Sequence, residues 1–165
     1  MPDLAAMSAW TQLEAERAFK RAARARCRAA LVGRVKRRGR RLCGLAVYDE
    51  TRRSATGARR GLHEIPLEAT RGTTEPNRAA QFDHEFRPAA LTRCRWQSIW
   101  LAFHRGATLP PISVIQVGDD YAIRDGHHRV SVAKALGALT IRAVVAWAPS
   151  TPRAWRAWRT QLRFG

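Results

Sequence analysis

A chain of 165 residues with 45% hydrophobic and 26% charged residues is long enough for one domain with a core and too apolar to be disordered. Its formal net charge of +17 makes a polyanion an expected neighbour, nucleic acid before an anionic membrane, with an Ala- and Arg-favouring codon bias as the plain alternative. Cys27, Cys43 and Cys94 are odd in number, widely spaced and without a CxxC pair, which argues against a disulfide framework or a zinc ribbon and fits a reducing compartment.

No apolar run reaches membrane-spanning length and the N-terminus lacks a signal-peptide core, so a cytoplasmic, unprocessed protein without a membrane span is expected. From Ser8 to about Val35 the composition is helical, with Trp10, Leu13, Phe19, Ala23, Cys27, Ala30 and Leu31 recurring near a 3.6 period and Arg or Lys on the other faces. This basic amphipathic helix is expected to pack its stripe on the domain, with a membrane surface or DNA backbone as the sharper alternatives. Arg34, Lys36, Arg37, Arg38, Arg40 and Arg41, broken by Gly33 and Gly39, form a solvated basic segment and the candidate nucleic-acid contact.

Leu42 to Tyr48 is a short apolar stretch, and Arg53 to Gly61 reads as a polar linker. Ile65-Pro66-Leu67 is expected to begin an edge strand, followed by a loop through Gly72, Pro76, Asn77 and Arg78. Phe82, Phe86 and Leu91 lead to a helix from about Arg93 to Arg105 that buries Trp96, Ile99, Trp100 and Phe103 and stops at Gly106. Ile112 to Val117 alternates as a strand after Leu109-Pro110-Pro111, turns at Gly118-Asp119-Asp120 and returns through Tyr121-Ala122-Ile123. A helix from Arg129 to Leu136, capped by Gly137, precedes a last strand from Ile141 to Trp147, apolar enough for burial on both faces. The tail sets Arg153, Arg156 and Arg159 beside Trp155, Trp158 and Leu162 at helical spacing. Three parts result: a basic helical extension and linker over 1–60, a domain over 61–148, and a basic Trp/Arg helix over 149–165.

Between the returning strand and the short helix lies Asp125-Gly126-His127-His128-Arg129, the most chemistry-laden run of the chain. A polar turn that opens a helix offers free backbone N–H groups and the positive end of the helix dipole, as a phosphate requires. Gly126 leaves room for a phosphate or serves turn geometry, and His127 and His128 are donors of which one is expected to face the ligand. Arg129 carries a planar fork for phosphate oxygens, with an ion pair to Asp125 or Asp83 as the alternative. Asp125 is expected to cap the helix by accepting from the N–H of His127 or His128, with general base or Mg²⁺ ligand as its functional readings. Ser131 is placed on the less apolar face, within reach of a ligand, and Lys134 as a solvated surface charge, while Val132, Ala133 and Leu136 face the core. No metal site is expected from a bare His-His pair.

The order of these pieces resembles the ParB/sulfiredoxin-like superfamily over Ile65 to Trp147: Ile65-Pro66-Leu67, Asn77-Arg78 before Phe82-Asp83, the helix ending at Gly106, Leu109-Pro110-Pro111-Ile112 with its hairpin, the Gly-x-x-Arg turn at Gly126 to Arg129, and Ala133 to Gly137. The resemblance implies an α/β (α+β) fold, a small mixed sheet flanked by helices. Partition ParB proteins read Gly-Glu-Arg-Arg at this turn, which implies contacts to the triphosphate of CTP. Arg78 resembles their loop arginine and is the expected second phosphate clamp. Sulfiredoxins carry Gly-Cys-His-Arg there, and His127 at the cysteine's position implies that this chain is not a sulfiredoxin. A free-serine kinase of the same fold carries Asp-Gly-His-x-Arg, for whose catalytic glutamate Glu68 and Glu75 are the candidates. The helix-turn-helix and dimerisation domains of partition ParB are not expected after Trp147, and the closest overall likeness is to small bacterial ParB-like proteins.

Three functions follow as expectations: binding of nucleotide phosphates, CTP or ATP with Mg²⁺, at the turn in association with DNA; phosphoryl transfer or nucleotide hydrolysis on a small hydroxyl substrate with Asp125 as base; or non-enzymatic grip on the DNA backbone. The sequence leaves a homodimer open.

Overall fold

The computed structural model describes residues 4–35, 44–48 and 60–147. Residues 53–59 of the expected linker, the tail, residues 36–41 of the basic segment and residues 42 and 43 lie outside the described residues, as do the side chains of Arg34 and Val35; Arg60 and Gly61, expected to end the linker, are instead the start of a strand. The elements run α1 (Leu4–Val35), β1 (Ala46–Val47), β2 (Arg60–Pro66), β3 (Thr70–Thr73), α2 (Pro76–Ala79), α3 (Arg93–His104), β4 (Ile112–Val117), β5 (Asp120–Asp125), α4 (His127–Ala135) and β6 (Thr140–Trp147). The class is the mixed α/β one expected.

Six strands form one sheet in the order β1-β3-β5-β4-β6-β2. The hairpin β4–β5, joined by the tight turn at Gly118, is antiparallel, with Val114 opposite Ile123 and Val117 opposite Asp120. The chain then crosses over through α4 so that β6 lies parallel to β4, Ile112 opposite Ala143. β2 pairs antiparallel with β6 and forms the edge. Ile65-Pro66 ends this edge strand instead of beginning it, and Leu67 turns into a short 3₁₀ segment.

Two strands depart from the sequence reading. Thr70 to Thr73, expected in a loop, is the inner strand β3, parallel to both β5 and β1. Its buried residues are small and none is a large apolar one, and Arg71 is exposed, so no hydrophobic alternation announces it; burial of Thr70, Gly72 and Thr73 comes from the flanking strands. Ala46–Val47, within the part assigned to the N-terminal extension, supplies the opposite edge, with Leu45 and Tyr48 buried beside it.

Among the described residues the core falls into three clusters, one of them around Ile115, Val117 and Ala122 with Tyr48 and Ala146, and α4 lies between the other two. Below it, Ile112, Val114, Ile123, Ala143 and Val145 of the sheet pack with Phe82, Phe86, Val130 and Ala133. Above it, Val132 meets Trp96 and Trp100 of α3 and Ala15, Ala18 and Phe19 of α1, with Phe19 edge-on to Trp96 at 5.6 Å. Alanines on α1 let the helices approach closely around the one large ring. The buried face of α1 is therefore its middle, whereas Trp10, Leu13 and Leu31 of the expected stripe are 58%, 43% and 59% exposed and Cys27 is exposed. Phe103 likewise faces solvent, and Leu136 stands exposed where a core position was expected. Glu16 holds Arg93 at 2.7 Å and Arg26 donates to the Ala80 carbonyl at 3.0 Å, so polar contacts flank the apolar one.

Candidate functional site

The turn is built where β5 runs into α4. Asp125 is the last residue of β5, Gly126 is the N-cap in the left-handed region (φ 101°), and α4 begins at His127. A Cβ on Gly126 would overlap Cγ2 of Ile112 and lie 2.8 Å from its Cβ, so the glycine serves the contact between turn and β4 as well as the positive φ. No side chain caps α4, and no acidic residue stands in its first turn. Asp125 is not the cap expected of it: at the end of a strand its carboxylate points along the helix and accepts from Arg129 Nη2 at 2.6 Å.

Arg129 is committed to the protein itself. Besides Asp125, its Nη1 donates to the carbonyls of Pro110 and of Pro111, the latter at 2.9 Å. These prolines bring the chain into β4, and carbonyls outside the ladder need a donor. The guanidinium supplies it, and the fork expected to grip phosphate instead staples the start of α4 to the start of β4. Asp83, the other ion-pair partner considered for Arg129, is buried and engaged elsewhere: it accepts from the backbone N–H of Glu85 at 3.0 Å and of Arg87 at 2.8 Å and pairs with the Arg87 side chain at 3.4 Å.

Both histidines are buried, at 4% and 7% exposure. His127 Nε2 lies 2.7 Å from Thr73 Oγ1, which also accepts from the backbone N–H of Glu75 at 2.8 Å. The Phe82 ring lies parallel to His127, centroids 6.2 Å apart, and edge-on to His128 at 5.1 Å. Burial, then the positive charge of Arg78, pushes the His127 pKa from 6.5 down to about 4. Burial followed by Arg95 and Arg78 pushes His128 down to about 4 as well. Both imidazoles are neutral at pH 7, each with one donor and one acceptor nitrogen.

Arg78 stands on the single-turn helix α2, exposed, with Nη1 on Gln81 Oε1 at 3.0 Å. Its positive charge contributes to the lowering of both histidine pKa values. Ser131 is not available to a ligand: it is 2% exposed and its Oγ accepts from Trp96 Nε1 at 2.9 Å, tying α4 to α3. Lys134 is half-buried over the Phe86 ring at 5.1 Å, where a solvated charge was expected. Of the two glutamates considered, Glu75 donates its backbone N–H to Thr73, the partner of His127, while Glu68 is exposed in the short 3₁₀ segment that follows β2. Thr73 was not singled out by sequence reasoning; its one local signal is a hydroxyl two residues before the Glu75-Pro76 helix start, where such side chains commonly hold a backbone N–H.

Among the described residues no group of three or more His, Cys, Asp or Glu is gathered to hold a metal ion, and no helix is long and apolar enough to cross a membrane. Cys27 and Cys94, the cysteines described, lie on α1 and α3 and not on the turn.

No family model and no curated protein matches the sequence. Among solved structures there is a likeness at the level of the fold. The chain is similar to a sulfiredoxin. That sulfiredoxin, from Arabidopsis thaliana, is 24% identical, with 62% of this chain and 98% of the sulfiredoxin covered at a TM-score of 0.35. A superposition this loose carries no residue role and no activity across, and what the turn can do rests on its own geometry.

Proposed function

We propose that the N-terminus of α4 binds the phosphates of a nucleotide of the CTP or ATP type, entering with its own Mg²⁺, in a protein that its basic charge keeps near DNA. The observation that carries this reading is the company of an uncapped, positively polarised helix start and a cation: His127, His128 and Arg129 open α4 with no side-chain cap, and the Arg78 charge reaches the same place. Phosphate oxygens supply the acceptors that such a helix start lacks.

The bonding of Arg129 and Asp125 favours binding over turnover. Arg78, exposed and with its side chain bonded among the described residues only to Gln81, can meet a ligand at modest cost, and the neutral histidines donate through an N–H without carrying charge. Calorimetry with CTP, ATP, GTP and pyrophosphate, each with Mg²⁺, tests the reading on wild type and Arg78→Ala. Saturable binding of at least one nucleotide, weakened by about tenfold in Arg78→Ala, supports it. Absence of binding to all four overturns it.

DNA association rests on the net charge of +17. Log affinity for duplex DNA is expected to fall steeply with log salt. Replacing Lys36, Arg37, Arg38, Arg40 and Arg41 by Ser flattens that slope if the segment is the contact, and an unchanged slope removes it from the interface.

A further inference from the structure

Away from the turn, at the opposite end of α4, α1, α3 and α4 enclose a cavity of about 1060 Å³ that also meets the loop carrying Phe86. A drug-sized ligand occupies a space of this order. Its wall combines apolar surface, Leu67 and Phe86 among it, with Lys134, the indole of Trp100 and the further basic residues Arg17, Arg21 and Arg87. Two donors there lack an acceptor. Lys134 makes neither a hydrogen bond nor an ion pair among the described residues and rests only on the Phe86 ring at 5.1 Å. Trp100, 4% exposed, has a buried Nε1 without a partner.

Carboxylates line the cavity too: Glu85, and Asp83 outside the wall, favour the Lys134 charge through space, but among the described residues none forms an ion pair with it. Glu85 lies toward His84 at 3.6 Å, Glu68 is exposed, and neither it nor Glu14 comes within ion-pair distance of the ammonium. Asp83, the buried acid nearest in sequence, is spent on Arg87 and the loop backbone. A partly desolvated ammonium without a partner is costly, and burial accordingly lowers the Lys134 pKa. An incoming anion removes that cost, while an apolar body fits the part of the wall formed by Leu67, Phe86 and Leu139.

We infer that this cavity binds a small organic anion with an apolar body, its charge met by Lys134 and its apolar part by Phe86 and Leu67. The site is independent of the α4 turn: Arg78 and Gly126 to Arg129 are not part of its wall.

The probe is anilinonaphthalene sulfonate, followed by fluorescence on the full chain, with neutral phenylnaphthylamine as the uncharged counterpart and naphthalene carboxylate as competitor. Wild type is expected to show one saturable site for the anionic dye, displaced by the carboxylate. Lys134→Met weakens the anionic dye by at least about tenfold and leaves the neutral one within about twofold, whereas Lys134→Arg retains both. Leu139→Glu, at a wall position 83% exposed and hence harmless to folding, also weakens the anionic dye selectively. The inference is overturned by multi-site binding, by Lys134→Met with unchanged anion affinity, or by Leu139→Glu without effect. It is equally overturned if Arg78→Ala abolishes dye binding, since the dye then sits at the turn; failure of nucleotide binding there leaves this site unaffected.

Discussion

Asp125 and Arg129 meet at 2.6 Å across the first turn of α4, the carboxylate exposed and the guanidinium nearly enclosed. The asymmetry assigns the work: Arg129 also holds the carbonyls of Pro110 and Pro111, whereas Asp125 makes one solvent-accessible pair. Arg129→Ala should therefore cost about 1–3 kcal/mol, the range for stranding such acceptors. For a chain of this length that lowers Tm by about 2–4 °C per kcal/mol. Asp125→Asn should cost less than about 1 kcal/mol, as exposed ion pairs do. Chemical denaturation of both variants checks the order, and a larger loss for Asp125→Asn would show that the staple is wrongly assigned.

Gly126→Ala is expected to be more damaging than its size suggests. The new methyl must take φ 101° and overlap Ile112, two penalties that sum to about 2–4 kcal/mol. A loss below about 1 kcal/mol in urea unfolding would mean that β4 can yield there.

Acid should loosen the site from within. The folded-state pKa of His127 and of His128 is about 4, below the unfolded 6.5, so the unfolded chain binds more protons between these values. The stability contributed by the neutral rings is fully present above about pH 6.5, falls as pH drops toward about 4 and levels off below. The loss is on the order of 3 kcal/mol per histidine at the limit. Denaturant midpoints measured from pH 7 to pH 4 on wild type and His127→Asn test this; equal slopes in the two proteins would remove His127 from the effect.

Arg78→Ala separates ligand binding from stability. The side chain is exposed and bonds only Gln81 among the described residues, so unfolding should shift by less than about 0.5 kcal/mol. Removing its charge should raise both histidine pKa values, because the guanidinium is a cause of their depression. Histidine proton shifts followed by NMR through the titration read this directly, and unmoved values would place Arg78 too far away to serve a shared anion.

The second half of the domain was legible because each element carries its own punctuation. Prolines 110 and 111 precede β4, a Gly-Asp turn separates β4 from β5, and Gly137 stops α4. β3 was not legible, since Thr70, Gly72 and Thr73 owe their burial to strands far away in the chain. Ser131 and Lys134 are both more enclosed than expected, for a related reason. A helix on a sheet has a wet side, and polar residues are assigned to it; α4 has α3 on that side, so Ser131 meets Trp96, while Lys134 reaches Phe86 of the loop before α3. The turn itself was found from residue types, but which partners Asp125 and Arg129 take depends on where Pro110 and Pro111 lie in space.

The position of α4 between two cores also bears on how freely this chain can vary. From His127 to Ala133 only Arg129 is not fully buried, and it is held by three oxygens. A helix with no outward side offers drift almost nowhere to act, so tolerated replacements in a saturation library should collect at Ala135 and Leu136, the exposed positions of its last turn.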